Sequence, residues 1–65
     1  MKLDDFRIDM RFTYGIRRPS VFQVTDIGTR VVVAVRVSRY APLAQPPYAG
    51  EVVIAEEDLR YCDPL

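Results

Sequence analysis

Residues 21–37 read VFQVTDIGTRVVVAVRV, and this stretch decides the fold class. β-Branched residues at this density disfavour a helix and suit a pleated, half-buried surface. Asp26 can cap a turn through its carboxylate, and Gly28 can take the positive φ that a three-residue hairpin loop with a bulge requires. The stretch therefore predicts a β-hairpin whose turn depends on Asp26, Gly28 and Arg30, with Asp26 and Arg30 near enough to pair.

The second strand of this hairpin alternates between two faces that are both largely apolar. One face carries Val31, Val33, Val35 and Val37, and the other carries Arg30, Val32, Ala34, Arg36 and Ser38. Because side chains two positions apart point to the same side of a strand, the all-valine face is the expected core. On this assignment, Val33→Asp would unfold the domain by burying an unpaired charge.

A period of two also runs through residues 6–14, ahead of the hairpin. Phe6, Ile8, Met10, Phe12 and Tyr14 alternate there with polar side chains. A helix starting at Asp4 or Asp5 is the rival interpretation, but about 100° of rotation per residue would spread these side chains around a helix. The pattern predicts one strand over 6–14 that ends at Gly15.

Residues 40–50, YAPLAQPPYAG, contain three prolines, two tyrosines and no charge. Such a segment cannot donate regularly to a sheet, so we expect an extended or polyproline-like loop. Two roles remain open for its apolar residues. They could cover an open end of the fold, or they could bind a partner, in which case the contact residues would be Tyr40, Leu43, Pro46, Pro47 and Tyr48.

The remaining elements complete an all-β prediction for a single domain over residues 1–65. Residues 51–56 predict a strand, and residues 57–62 predict one short 3₁₀ or helical turn that Leu59 anchors to the core. Four to five short, mainly antiparallel strands in so small a chain are best closed as an SH3-like barrel or a curled sheet. A flat sheet would leave long valine-rich edges open to aggregation.

Composition narrows the chemistry. The 65 residues include no histidine and one cysteine, Cys62, so the chain has no second cysteine for an internal disulfide, no histidine or cysteine cluster for a zinc site and no ordinary general base. We expect no enzymatic activity, no metal and no cofactor. Cys62 is either a buried, inert thiol or, less simply, a nucleophile activated by Arg60. A lone thiol suits a reducing cytoplasm, and no leader or membrane-spanning run is evident.

Charge is balanced in sum, with nine basic and nine acidic residues, but it is unevenly distributed. Residues 7–39 are basic and residues 40–65 are acidic. The two parts could neutralise each other within the fold or across a subunit contact. Alternatively, an arginine patch could bind an anionic partner. The candidate residues for that patch are Arg7, Arg11, Arg17, Arg18, Arg36 and Arg39.

Two function classes follow from these patterns. The preferred one is a small protein-binding or regulatory module that contacts another protein or itself, because so small a core gains stability from self-association. The alternative is a nucleic-acid-binding module that uses the arginine-rich face with Tyr14 or Tyr40 as stacking surfaces. Neutral net charge counts against the alternative.

Several segments together resemble a group of short uncharacterised bacterial proteins. The resemblance is carried by TDIGTR at residues 25–30, the PPYA loop at 46–49, EVV at 51–53 and EEDL at 56–59 followed by Cys62. It spans about residues 12–62 and implies relatives without implying an activity. The chain departs from the group's pattern at Val24, where a cysteine often stands, and at Gln45, which replaces a glycine.

Overall fold

The computed structural model describes all 65 residues and places five short strands in one antiparallel sheet. The strands are β1 (Arg11–Tyr14), β2 (Ser20–Ile27), β3 (Val31–Arg36), β4 (Val52–Ala55) and β5 (Cys62–Pro64), in the order β4-β3-β2-β1-β5. A 3₁₀ helix at Leu3–Asp5 precedes the sheet, and a second one at Glu56–Tyr61 separates β4 from β5. The all-β class and the C-terminal turn are thereby confirmed.

The second 3₁₀ helix links the two edge strands of the sheet. A 3₁₀ helix rises about 2 Å per residue, so its six residues span roughly 12 Å, and the sheet must curl to bring β4 and β5 that close. Leu59 is buried at the centre of this helix, as predicted. The Met1 ammonium group donates to the carbonyls of Leu59 and Cys62, at 2.9 and 3.2 Å, and ties the N-terminus to the same place.

The core lies on one face of the curled sheet, here called the core face. Cross-strand partners point to the same side, so the pairs Val24 with Ala34 and Val32 with Ile54 stack their side chains there. The buried cluster is Phe6, Phe12, Val24, Val32, Ala34, Ile54, Leu59 and Cys62. Within it, the rings of Phe6 and Phe12 meet edge to face, with centroids 5.1 Å apart.

The all-valine face predicted for β3 is not the face that carries the buried cluster, although Val35 on it is also buried. Val32 and Ala34 are fully buried on the core face, whereas Val33 points to the opposite, outer face and is half-buried. Both faces of β3 are apolar, so its own alternation cannot choose between them. The choice is made by the partners, because Val24 and Ile54 bring the rest of the core to Ala34 and Val32.

The strand predicted over residues 6–14 is correct only in its second half, because β1 begins at Arg11. Residues 7–10 form a turn in which the Met10 N–H donates to the Arg7 carbonyl at 3.1 Å, and Asp9 takes a φ of 68°. This turn leaves Ile8 54% exposed. Phe6 still reaches the core, but it does so from the end of the first 3₁₀ helix.

The predicted hairpin is present as β2 and β3, but its bulge lies elsewhere than expected. The register shifts between Val24 and Asp26, which leaves Thr25 as the extra residue, and Gly28 has no positive φ. Gly28 is instead confined by its neighbour Val31. Its N–H donates to the Val31 carbonyl at 2.9 Å, and a Cβ at Gly28 would lie 2.8 Å from Val31 Cγ2.

Candidate functional site

An open groove of about 530 Å³ lies where the end of β1, the start of β2 and the second 3₁₀ helix meet. We call it the aromatic groove, and its lining residues are Tyr14, Gly15, Ile16, Ser20, Phe22, Asp58 and Tyr61. The rings of Tyr14 and Phe22 pack against each other with centroids 5.9 Å apart and planes at 66°. The surface of the groove is therefore mainly apolar, with three aromatic rings and a single carboxylate.

Sheet register and one glycine shape the aromatic groove. Tyr14 pairs with Ser20 on β2 and with Cys62 on β5, which places its ring at the open end of the core face. Gly15 then turns the chain with a φ of 142°, and its N–H donates to the Tyr61 carbonyl at 3.2 Å. This turn projects Ile16 outward, where it is 76% exposed. A large apolar side chain thus stands beside the rings.

The electrostatics of the groove favour a cationic or neutral ligand. Burial is the main cause that raises the pKa of Tyr14, and the negative charge of Asp58 raises it further. Outside the groove lining, the Arg60 guanidinium lies 4.9 Å from the centroid of the Tyr61 ring. This contact illustrates that a ring face here accepts a cation. No lysine or arginine lines the groove itself.

Sequence reasoning missed most of this groove. It noted Tyr14 as a stacking surface, but it did not single out Ile16, Phe22, Asp58 or Tyr61. These residues come from three elements far apart in the chain, so no local spacing connects them. The available signal was weak, namely a tyrosine directly followed by a glycine at a strand end.

The five residues predicted to bind a partner lie together on one long connection between β3 and β4. Tyr40 is 92% exposed and Leu43 is 46% exposed, while Pro46 and Pro47 are also exposed and Tyr48 is half-buried. None of the five lines the aromatic groove. The structure thus presents two separate surfaces that are suited to contact, the connection and the groove.

Gln23 fastens part of this connection to the outer face of the sheet. Its side chain is fully buried, and it exchanges two hydrogen bonds with the backbone of Ala44. Gln23 Nε2 donates to the Ala44 carbonyl at 3.1 Å, and the Ala44 N–H donates to Gln23 Oε1 at 2.8 Å. Nε2 also donates to Asp9 Oδ1 at 3.2 Å. A buried amide is satisfied here by a loop rather than by a neighbouring strand.

Arg11 holds the preceding residues of the same connection. Its Nη1 donates to the Arg39 carbonyl at 2.9 Å, and its Nη2 donates to the carbonyls of Ala41 and Pro42, the latter at 3.0 Å. Arg11 and Gln23 are cross-strand partners and therefore share the outer face. Together they fix residues 39–44, which we call the pinned segment.

The six arginines of the predicted anion-binding patch have different environments. Arg11 is committed to the pinned segment, and Arg7 Nη1 donates to the carbonyls of Asp4 and Phe6 at 2.6 and 2.8 Å. The other four, Arg17, Arg18, Arg36 and Arg39, are exposed and make no ion pair. They lie in the β1–β2 connection, at the end of β3 and at the start of the pinned segment.

The predicted turn residues act differently from the expectation. Asp26 Oδ1 accepts from the Ile27 N–H at 2.9 Å, so this carboxylate does stabilise the backbone next to the turn. Arg30 pairs with Glu56 rather than with Asp26, at 3.7 Å between Nε and Oε1. The Arg30 carbonyl also accepts from the Glu56 N–H at 2.9 Å. This exposed pair is the one ion pair between the basic and acidic parts, and such pairs contribute at most about 1 kcal/mol.

Cys62 is buried in the core cluster and is 1% exposed. Burial raises the pKa of its thiol to about 11, although the nearby N-terminal ammonium acts in the opposite direction. The thiol is therefore protonated at neutral pH and is closed to solvent. Elsewhere, no group of three or more potential metal ligands comes together.

The structure defines the class of this protein, which is a small all-β domain with one curled five-stranded sheet. No family model, no curated protein and no solved structure matches it. The resemblance to the group of short bacterial proteins stays a prediction. None of the helices has both the length and the apolar character that crossing a membrane would require.

Proposed function

We propose that this protein is a small, non-enzymatic protein-binding module, with a regulatory or accessory role, that uses the aromatic groove to hold an extended segment of a partner protein. The observation that carries the proposal is the groove itself. It is open, already formed, and lined by three aromatic rings, one exposed isoleucine and one carboxylate. Aromatic-lined grooves of this kind suit extended and proline-rich peptides, because rings offer large contact areas at a low entropic cost.

The chemistry of the chain supports binding rather than catalysis. There is no histidine to act as a general base near neutral pH, and the one thiol is buried with a raised pKa. The polar groups of the groove are a phenol with a raised pKa, a second phenol, a serine and an aspartate. These groups can orient a ligand through hydrogen bonds. We place the module in the bacterial cytoplasm, where a single unpaired cysteine stays reduced.

Selection from a displayed library of random peptides tests this proposal, because aromatic-lined grooves recognise short extended segments. We expect the wild-type protein to enrich a common peptide motif, and Ile16→Glu to lose it. Ile16 is 76% exposed, so this change alters the groove without disturbing the core. Ile8→Glu is the matched control, since Ile8 is also exposed but does not line the groove. Failure to enrich any motif, or equal enrichment by Ile16→Glu, would contradict the proposal.

The nucleic-acid alternative depends on the four exposed arginines. Binding through them would have to weaken steeply with salt, because each neutralised phosphate releases counterions. Titration of single-stranded DNA at two salt concentrations therefore separates the two functions. Tight, salt-sensitive binding that Arg17→Ala and Arg18→Ala reduce would favour this alternative over the peptide groove.

A further inference from the structure

We propose that the aromatic groove of one copy binds the pinned segment, residues 39–44, of a second copy, so that the chain assembles head to tail. This inference rests on the proposed function, because it names the partner that the groove would hold. It is carried by three observations, namely the positions of the two surfaces, the ordering of the pinned segment and the charges on the two sides.

The two surfaces lie on opposite faces of the sheet. Gln23 and Arg11 hold the pinned segment against the outer face. Tyr14 and Phe22 point to the core face, because they stand one position away from outer-face residues along their strands. A chain therefore cannot fold its own pinned segment into its own groove without releasing all the bonds to Gln23 and Arg11. Occupation of the groove by this segment requires another copy.

The pinned segment is ordered in advance of binding. Its carbonyl groups are bound by Arg11 and Gln23, while its side chains remain free. Tyr40 is 92% exposed, Leu43 is 46% exposed, and Pro42 between them is also exposed. A segment whose backbone is already fixed loses little conformational entropy on docking. Three exposed apolar side chains on such a backbone match a groove formed by rings.

The charges of the two surfaces are complementary. The pinned segment begins with the exposed Arg39, which has no carboxylate partner in its own chain. The lining of the aromatic groove includes Asp58 and no cation, while Arg60 lies beside it on the ring of Tyr61. The basic part and the acidic part of this neutral chain are joined by only one ion pair within the chain. Docking with Arg39 near Asp58 would bring their opposite charges together between copies. The two parts would meet mainly between copies.

Symmetry follows from the use of two different surfaces. A contact between unlike surfaces is heterologous, and it produces rings or open chains rather than a two-fold dimer. The contact area of one short segment is small, so we expect weak association that depends on concentration. The average mass should therefore rise with concentration and pass beyond that of a dimer.

Sedimentation velocity with exchanged charges tests the inference. Arg39→Glu and Asp58→Arg should each weaken association by about tenfold or more, since each places like charges against each other. An equimolar mixture of the two variants should restore association, because every contact between unlike variants again joins opposite charges. Lys2→Glu is the control, since it reverses an exposed positive charge that lies in neither the pinned segment nor the groove lining, and it should have little effect.

The possible results separate this inference from the proposed function. A wild-type protein that stays monomeric at about 1 mM, well above the range of weak association, overturns self-docking but leaves peptide selection by the groove unaffected. Association that neither charge exchange weakens also overturns it, because the contact then lies elsewhere. If Asp58→Arg disturbs folding, Ile16→Glu replaces it, and unchanged association of that exposed variant counts equally against the inference.

Discussion

Replacement of Gln23 by leucine is the sharpest test of how this small domain holds its longest connection. The Gln23 side chain is fully buried and makes three hydrogen bonds, two with the Ala44 backbone and one with Asp9. Leucine has a similar size but no polar atoms. Gln23→Leu therefore removes the three bonds while it leaves the space filled, so any loss of stability reports on the bonds rather than on a cavity.

The expected cost can be worked from the structure. A net contribution of about 1 kcal/mol for each bond gives a loss of about 3 kcal/mol. Release of the pinned segment into water sets a limit, because Ala44 would find new partners there, so we expect a loss of about 2–3 kcal/mol. A domain of 65 residues is stable by only about 3–10 kcal/mol. The change would thus remove a large share of the total stability.

Urea unfolding and amide hydrogen exchange measure this prediction. With a slope of about 1 kcal/mol per molar urea for a small domain, the midpoint should fall by about 2–3 M. The Ala44 amide should also exchange faster than in the wild type. Gln45→Leu is the matched control, since Gln45 is exposed in the same connection and makes no side-chain hydrogen bond. A Gln23→Leu midpoint within about 0.5 M of the wild type, with Ala44 still protected, would refute the reasoning.

Four further predictions concern the core and the turn. Val32→Asp should prevent folding because it buries an unpaired charge, whereas Val33→Asp, on the outer face, should give a folded protein by circular dichroism. A folded Val32→Asp variant together with an unfolded Val33→Asp variant would contradict the assigned faces. The Cys62 thiol, with its pKa raised to about 11, should ignore a thiol reagent until the protein is unfolded. Because the pKa of Cys62 lies above the ordinary thiol value, the protonated thiol stabilises the fold fully below about pH 9, and this stabilisation is lost as the pH rises through 11. Cys62→Ala should therefore make the free energy of unfolding in urea less dependent on pH in that window. Gly28→Ala should lower the melting temperature, since the new Cβ would lie 2.8 Å from Val31 Cγ2, and an unchanged melting temperature would mean that Val31 can move away freely.

The aromatic groove illustrates why a binding surface can escape a sequence analysis. Tyr14, Phe22 and Tyr61 come from β1, β2 and the second 3₁₀ helix, and each is unremarkable in its own segment. The groove exists because β5 pairs with β1, and this pairing brings the second 3₁₀ helix close to the end of β1 and the start of β2. That pairing joins residues about 50 positions apart. No periodicity within one segment reports on it.

The amino-acid sequence by itself determined the elements that depend on local geometry. Alternation and β-branching in residues 21–37 predicted the hairpin, and the prolines predicted an irregular connection before residue 51. The pattern of residues 57–62 predicted a short turn that Leu59 anchors in the core. Tertiary structure decided which face of β3 is buried, since both faces are apolar and the choice belongs to Val24 and Ile54. It also delayed the start of the first strand to Arg11 and buried Gln23 on the outer face, beneath Ala44. The physical reason is that side-chain alternation is a property of the local backbone, whereas burial depends on what packs against a residue from distant parts of the chain.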